Sequence, residues 1–307
     1  MKKKFIFTSV IVVVMSVSAM ACDICGCGAG NSYIGLLPDF YKYIFSVRHR
    51  YNSLRTHIGA NGNATYLTSD EKYHIMEVWG GWAITDKMRV VVTLPYSLNE
   101  KVNQGITKNK NGISDISVAG YYQLLNKKTT IFKKQQLTQT LWIGGGIKLP
   151  TGEYNPLDKS NTSQNTNLFQ LGTASVDYSV AAMYDARLKN SGINISASYK
   201  MNSGNKYEYR YGNKLNIATQ GYYKFKLGSF AVAPNTGLQF ETAQQDTDKT
   251  LKVDLSGGNV LLGTFGIETN VGKIAIGANF QTPFAQSLAN GFVKAGNRMM
   301  VHVSFAL

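Results

Sequence analysis

Few residues in this chain could do chemistry. All three cysteines lie in one run, Cys22-Asp23-Ile24-Cys25-Gly26-Cys27-Gly28. Three thiolates this close would suit a soft ion such as Cu(I) or Zn(II), and the glycines would let a short loop wrap around it. Two other readings stand beside that one. Cys22 would be acylated, leaving Cys25 and Cys27 as a pair, or two of the three would form a disulfide, since an odd number cannot close completely. A zinc finger would need a second matching pair, which the chain lacks. The Ser–His spacing of interest is His302 and Ser304, two apart and therefore on one face of a strand. A lipase acting on membrane lipid would turn its dyad to the lipid, whereas this pair shares the opposite, polar face. His49, His57 and His74 have no partner at a useful spacing, so the chain reads as a non-enzyme with no required cofactor.

The remaining candidates are charges whose meaning depends on the elements that carry them. Strict alternation of apolar and polar residues marks strands with two unlike faces. Ile193, Ile195, Ala197, Tyr199 and Met201 alternate with Asn194, Ser196, Ser198 and Lys200. Met299, Val301, Val303, Phe305 and Leu307 oppose Arg298, His302 and Ser304 in the same way. Twelve such segments are expected, at 43–56, 72–84, 87–97, 113–125, 138–150, 168–185, 192–202, 213–227, 229–242, 259–270, 272–284 and 297–307. Most exceed the roughly 5–6 residues of soluble strands and match the roughly 9–11 of a tilted membrane-spanning strand.

The connections alternate too. Those at 57–71, 98–112, 151–167, 203–212, 243–258 and 285–296 are long and polar, and those between are mostly short. The exception is 126–137, which holds Lys127, Lys128, Lys133 and Lys134. Short turns at one end and long loops at the other are the pattern of bacterial outer-membrane barrels. The expected fold is thus all-β, a transmembrane antiparallel β-barrel of about twelve strands. A large lipocalin-like or sandwich protein would have fewer and shorter strands. A charge facing lipid at mid-bilayer costs about 2–4 kcal/mol, so the charged rows should face the lumen. By parity these are Arg48, Arg50, Glu77, Lys148, Asp177, Lys200, Glu241, Glu268 and Arg298.

Residues 1–21 read as a secretory signal, with Lys2 to Lys4, an apolar core from Phe5 to Met15, and Ala19-Met20-Ala21 as the cleavage site. Residues 22–40 would form a Cys/Gly-rich periplasmic segment able to plug the barrel, and 41–307 the barrel itself. The net charge is +14, or 14 − 3 = +11 without the signal lysines. The mature lysines are scattered through polar loops and the chain is exported, so nucleic acid is excluded as a partner. Outer-membrane lipids, a small solute and the outer-membrane assembly machinery are the expected partners. The terminal Phe305-Ala306-Leu307 fits the assembly signal of such barrels. An even strand count places both termini in the periplasm of a Gram-negative bacterium.

Three stretches resemble a family of bacterial outer-membrane proteins named for a meta-pathway of phenol degradation and often labelled "transporter". They are Gly112-Ile113-Ser114-Asp115-Ile116 leading to Ala119-Gly120-Tyr121-Tyr122, then Gly144 to Gly152 with Lys148-Leu149-Pro150-Thr151-Gly152, then Gln170-Leu171-Gly172-Thr173-Ala174-Ser175-Val176-Asp177. The resemblance runs over about residues 40–307. The family has a second glycine where Ala174 stands here. The resemblance implies a channel in the style of the long-chain fatty-acid transporters, for small aromatic or apolar molecules. The alternative function is a metal-linked outer-membrane protein using Cys22, Cys25 and Cys27. Pro150-Thr151-Gly152 should end a strand, and Gly144 to Gly146 should either bend theirs, the plainer reading, or make room in the lumen.

Overall fold

The computed structural model describes residues 42–59, 62–131, 135–158 and 169–307. The signal segment, the 22–40 segment and Cys22, Cys25 and Cys27 lie outside the described residues. In chain order the strands are β1 (Tyr43–Thr56), β2 (Ser69–Thr85), β3 (Met88–Asn103), β4 (Ile106–Ile113), β5 (Ser117–Ile131) and β6 (Gln135–Lys148). There follow β7 (Asp177–Leu188), β8 (Ser191–Met201), β9 (Tyr209–Arg210), β10 (Lys214–Tyr223), β11 (Phe225–Leu227) and β12 (Phe230–Ala243). The last are β13 (Thr247–Asp248), β14 (Leu251–Lys252), β15 (Gly258–Val271), β16 (Ile274–Leu288) and β17 (Lys294–Ala306).

Each wall strand pairs antiparallel with its sequence neighbour, and β1 pairs β17 from Ile44↔Ala306 to Arg55↔Lys294. That pairing closes a barrel of twelve strands, with β10 and β11 forming one wall strand interrupted at Lys224. Closure leaves no free edge along the ring. Alternation decides the two faces. On β16, Ile274, Ile276 and Phe280 are exposed while Ala275, Gly277 and Asn279 are buried. On β17, Met299, Val301 and Phe305 point out while His302 and Ser304 are buried. The apolar row is the outer one, the reverse of a soluble barrel, because the solvent of this wall is hydrocarbon.

The two rims differ. One carries the tight turns at Asp86-Lys87, Lys189-Asn190, Gly228-Ser229 and Gly272-Lys273, with positive φ at Lys189, Gly228 and Gly272. Mirror-image turns of this kind match the twist of paired strands. The other rim carries the long connections, and three boundaries around the barrel depart from expectation. Residues 98–112 are a hairpin and not a loop, in which β3 continues to Asn103 and returns as β4. Residues 169–176 are irregular up to Asp177, so the strand expected at 168–185 begins later among the described residues. The connection expected at 126–137 is mostly strand, with Lys127 and Lys128 inside β5 and paired to β6.

Gly144 and Gly146 face inward, and their role is room more than curvature. A Cβ on Gly144 would collide with the Cδ1–Cε1 edge of the Tyr121 ring and come within 2.7 Å of the Gly120 carbonyl. Aromatic rings sit on missing side chains again at Gly192 under Tyr222 and at Gly263 under Phe284. At the loop rim Leu54, Tyr73, Val260, Leu262, Leu288, Ala289, Val293 and Ala295 form an apolar cluster. Beside it β9, β13 and β14 make a small separate sheet, with Tyr209, Tyr211 and Val253 packed together.

Candidate functional site

The inner wall is built in registered rows, because residues paired across strands share a face. One row reads Glu268, Gly277, His302, Arg48 and Glu77 across β15, β16, β17, β1 and β2. Glu77 takes Arg48 Nε at 2.5 Å on one oxygen and Arg50 Nη2 at 2.5 Å on the other. His302 Nε2 meets Glu268 Oε1 at 2.9 Å, in the space that Gly277 leaves empty. On its other side His302 Nδ1 contacts Ser304 Oγ at 3.2 Å. Ser46 Oγ donates to the Val303 carbonyl at 2.9 Å, so it accepts from Ser304 Oγ at 2.8 Å. The Ser304 proton is then directed away from His302, whereas a nucleophile must give its proton to the base. His302, Ser304 and Ser46 thus form one hydrogen-bonded chain along the inner wall. Nearer the loop rim Arg298 grips both oxygens of Glu241 at 2.8 and 3.1 Å, and Gln239 and Gln281 extend that chain along the wall.

The third group lies where β5, β6, β7 and β8 meet the loop rim. Three separated sequence stretches converge there on Asp115. One carboxylate oxygen accepts the Gly152 backbone N–H at 2.9 Å. The other accepts the Thr173 N–H at 2.9 Å, the Thr173 hydroxyl at 3.0 Å and Lys148 Nζ at 2.5 Å. Lys148 also pairs with Asp177 at 2.9 Å, and Lys200 with Asp177 at 3.3 Å. Ser175 Oγ and the Ser203 N–H donate to Asp177 Oδ1 at 2.9 and 3.1 Å. Thr151 Oγ1 ties the Ser114 carbonyl to the Ile116 N–H, and Asn205 Nδ2 holds the Thr173 carbonyl. Charges this deeply placed are retained only when fully paired, and here the pairing is what fixes the loops.

All nine charged residues expected to share the inner face are on it. Arg48, Glu77, Lys148, Asp177, Lys200 and Glu268 are buried, and Arg50, Glu241 and Arg298 are partly buried. With His302, which links Glu268 to the Arg48 row, they form three groups: Arg48, Arg50, Glu77, His302 and Glu268; Glu241 and Arg298; and Lys148, Asp177 and Lys200. The sequence reading does not single out Asp115, Thr173 and Ser175: it places them in strands at 113–125 and 168–185, whereas the structure holds them in irregular backbone. The signal that could have found them was the Gly-Ile-Ser-Asp-Ile and Gln-Leu-Gly-Thr-Ala-Ser runs. Among the described residues there is no group of three or more His, Cys, Asp or Glu side chains arranged to hold a metal.

A closed twelve-stranded wall, apolar without and charged within, with tight turns at one rim and long connections at the other, defines an outer-membrane β-barrel. More particularly, the chain belongs to the family described as "Putative MetA-pathway of phenol degradation", whose model matches residues 50–296. No curated protein matches the sequence. Among solved structures, an outer membrane channel from Pseudomonas putida F1 aligns with a TM-score of 0.64 and 12% identity, over 91% of this chain and 99% of that one. The translocator domain of the autotransporter NalP from Neisseria meningitidis aligns at 0.46 and 8% identity, over 89% and 91% of the two chains. A FadL homologue from Pseudomonas aeruginosa aligns at 0.38 and 6%, over 86% and 90%. At identities this low the likeness is one of fold.

Proposed function

We propose that the protein is an outer-membrane channel for small solutes, with the short turns and both termini in the periplasm. The observation that carries this reading is the inner wall, which is polar and charged from Ser46 and His302 near the turn rim to Glu241 and Lys148 near the loop rim. A barrel that served only as an anchor would gain more from an apolar filling, since buried ion pairs contribute little net stability. The nine inward charges would line the solute path and tune its selectivity. Solutes with an aromatic or otherwise apolar body fit the loop rim, where Tyr154 and Tyr207 stack at 5.2 Å beside Tyr209 and Tyr211. The family description, which names phenol degradation, points the same way. The test is purified protein in planar bilayers and solute-loaded liposomes. Conductance or solute flux is expected, and the absence of both sinks the channel.

A second proposal rests on the cysteine run alone: Cys22, Cys25 and Cys27 would bind a soft metal ion. Metal content of the purified chain should then fall with Cys25→Ser plus Cys27→Ser while the barrel stays intact. Equal metal in both proteins removes the idea.

A further inference from the structure

On the inner wall β12, β15 and β16 run side by side, and their register makes a shallow grid. Ala233, Glu268 and Gly277 form one row, Asn235, Gly266 and Asn279 the next, and Gly237, Thr264 and Gln281 the third. The grid has a floor of small residues and a rim of polar ones. Over Gly266, Asn235 Oδ1 and Asn279 Nδ2 come within 2.6 and 2.9 Å of where a Cβ would stand. The two amides therefore reach across the same gap from opposite sides.

This grid gathers polar atoms that nothing satisfies. Asn235 Oδ1 and Nδ2, Asn279 Nδ2, Thr264 Oγ1 and Glu268 Oε2 are buried with no hydrogen-bond partner among the described residues. Their residues are 6%, 7%, 0% and 2% exposed respectively. Buried polar groups are almost always hydrogen-bonded, and a concentration of exceptions calls for a partner. The His302 contact occupies only the other oxygen of Glu268.

The chemistry of the set narrows that partner. The amide nitrogens donate, the Asn235 and Glu268 oxygens accept, and the threonine hydroxyl does either. A hard cation would use the oxygens and be faced by amide N–H groups. An anion would meet the Glu268 carboxylate. A neutral group that donates and accepts at adjacent atoms satisfies both halves of the set. We propose that Asn235, Thr264, Glu268 and Asn279 form a subsite for the vicinal hydroxyls of a neutral solute. This deepens the channel reading, yet the site can be tested without flux.

Two sources share this chemistry, an aromatic diol and an aliphatic polyol, and the probes separate them. Calorimetry on the folded protein in detergent would titrate catechol, D-arabinose and 1,2-dimethoxybenzene, which lacks hydroxyl donors. Saturable binding of at least one diol is expected, with none for the dimethoxy compound. Asn235→Leu with Asn279→Leu should abolish it, and Thr264→Val, nearly isosteric, should weaken it about tenfold. Thr264→Val stands alone if the double variant fails to assemble. The proposal is overturned if neither diol binds saturably, as for a site holding water only, or if binding is unchanged in every variant that folds. Saturable binding without flux would sink the channel and keep the subsite. Flux without saturable binding would do the reverse.

Discussion

Asp115 accepts two backbone N–H groups and a hydroxyl from two different loops, and a lysine from the end of β6. Its removal therefore does more than break an ion pair: it frees the 149–158 and 169–176 connections together. Asp115→Ala should cost roughly 3–5 kcal/mol, the range for removing one member of a buried ion pair, because Lys148 and Lys200 would then share the single Asp177 carboxylate. Urea unfolding in lipid vesicles would read the loss, and protease sensitivity should rise in those two connections before the barrel yields. Unchanged proteolysis there would show that the loops are held by something else. Next to it, Ala174 takes a φ of 55°, in the left-handed region. A side chain in that region costs roughly 1–2 kcal/mol. Ala174→Gly should accordingly stabilise the protein by about 1 kcal/mol, less the entropy that glycine adds to the unfolded chain. The same vesicle titration checks it, and a destabilised variant would mean that the alanine methyl makes a contact of greater value. The glycine that the resembling family has at this place thus has a conformational reason.

At the level of strands, the outer and inner faces make opposite demands. Val301 is 44% exposed on the lipid side of β17, and Val301→Arg should cost about 2–4 kcal/mol at mid-bilayer. Reduced assembly, seen as loss of heat-modifiable migration, is the expected result, and normal assembly would show that this row does not face lipid. Gly144→Val tests the interior, where the added atoms would collide with Tyr121 and with the Gly120 carbonyl. Overpacking of this kind costs typically 1–3 kcal/mol. Tyr121→Ala should relieve part of the loss, because the ring can be removed and the carbonyl cannot. No relief in the double variant would mean that the backbone contact dominates. Strands were legible wherever lipid imposed an apolar face, as in Ile274 to Phe280. They were illegible where they rise beyond the apolar belt. The β4 segment Thr107-Lys108-Asn109-Lys110-Asn111 is polar on both faces, so no alternation marks it. The reverse error occurred at 169–176, where apolar and polar residues alternate by chance in backbone that the Asp115 network holds irregular.

For the whole molecule, closure of β1 on β17 brings together what the chain holds far apart. His302 reaches the Arg48 row, and Ser304 reaches Ser46, only through that seam. Parity could say that these residues share a face, but which of them meet depends on register around a closed ring. The same closure sets the charge of the interior. Glu77 is shared by Arg48 and Arg50, so these three side chains together carry one positive charge in excess. Arg50 is the more open of the two, with its side chain 18% exposed against 7% for Arg48. Arg50→Gln would remove the excess and leave Arg48 and Glu77 as a neutral buried pair, so the wall should stay folded. In planar bilayers under a KCl gradient, the reversal potential should move toward cation preference, and the shift should shrink as salt screens the remaining charge. Glu241→Gln, which removes the carboxylate paired with Arg298, should move it the other way. If the channel conducts and neither variant changes the reversal potential, ions pass by a path that these groups do not line, and the assignment of the inner charges to selectivity fails.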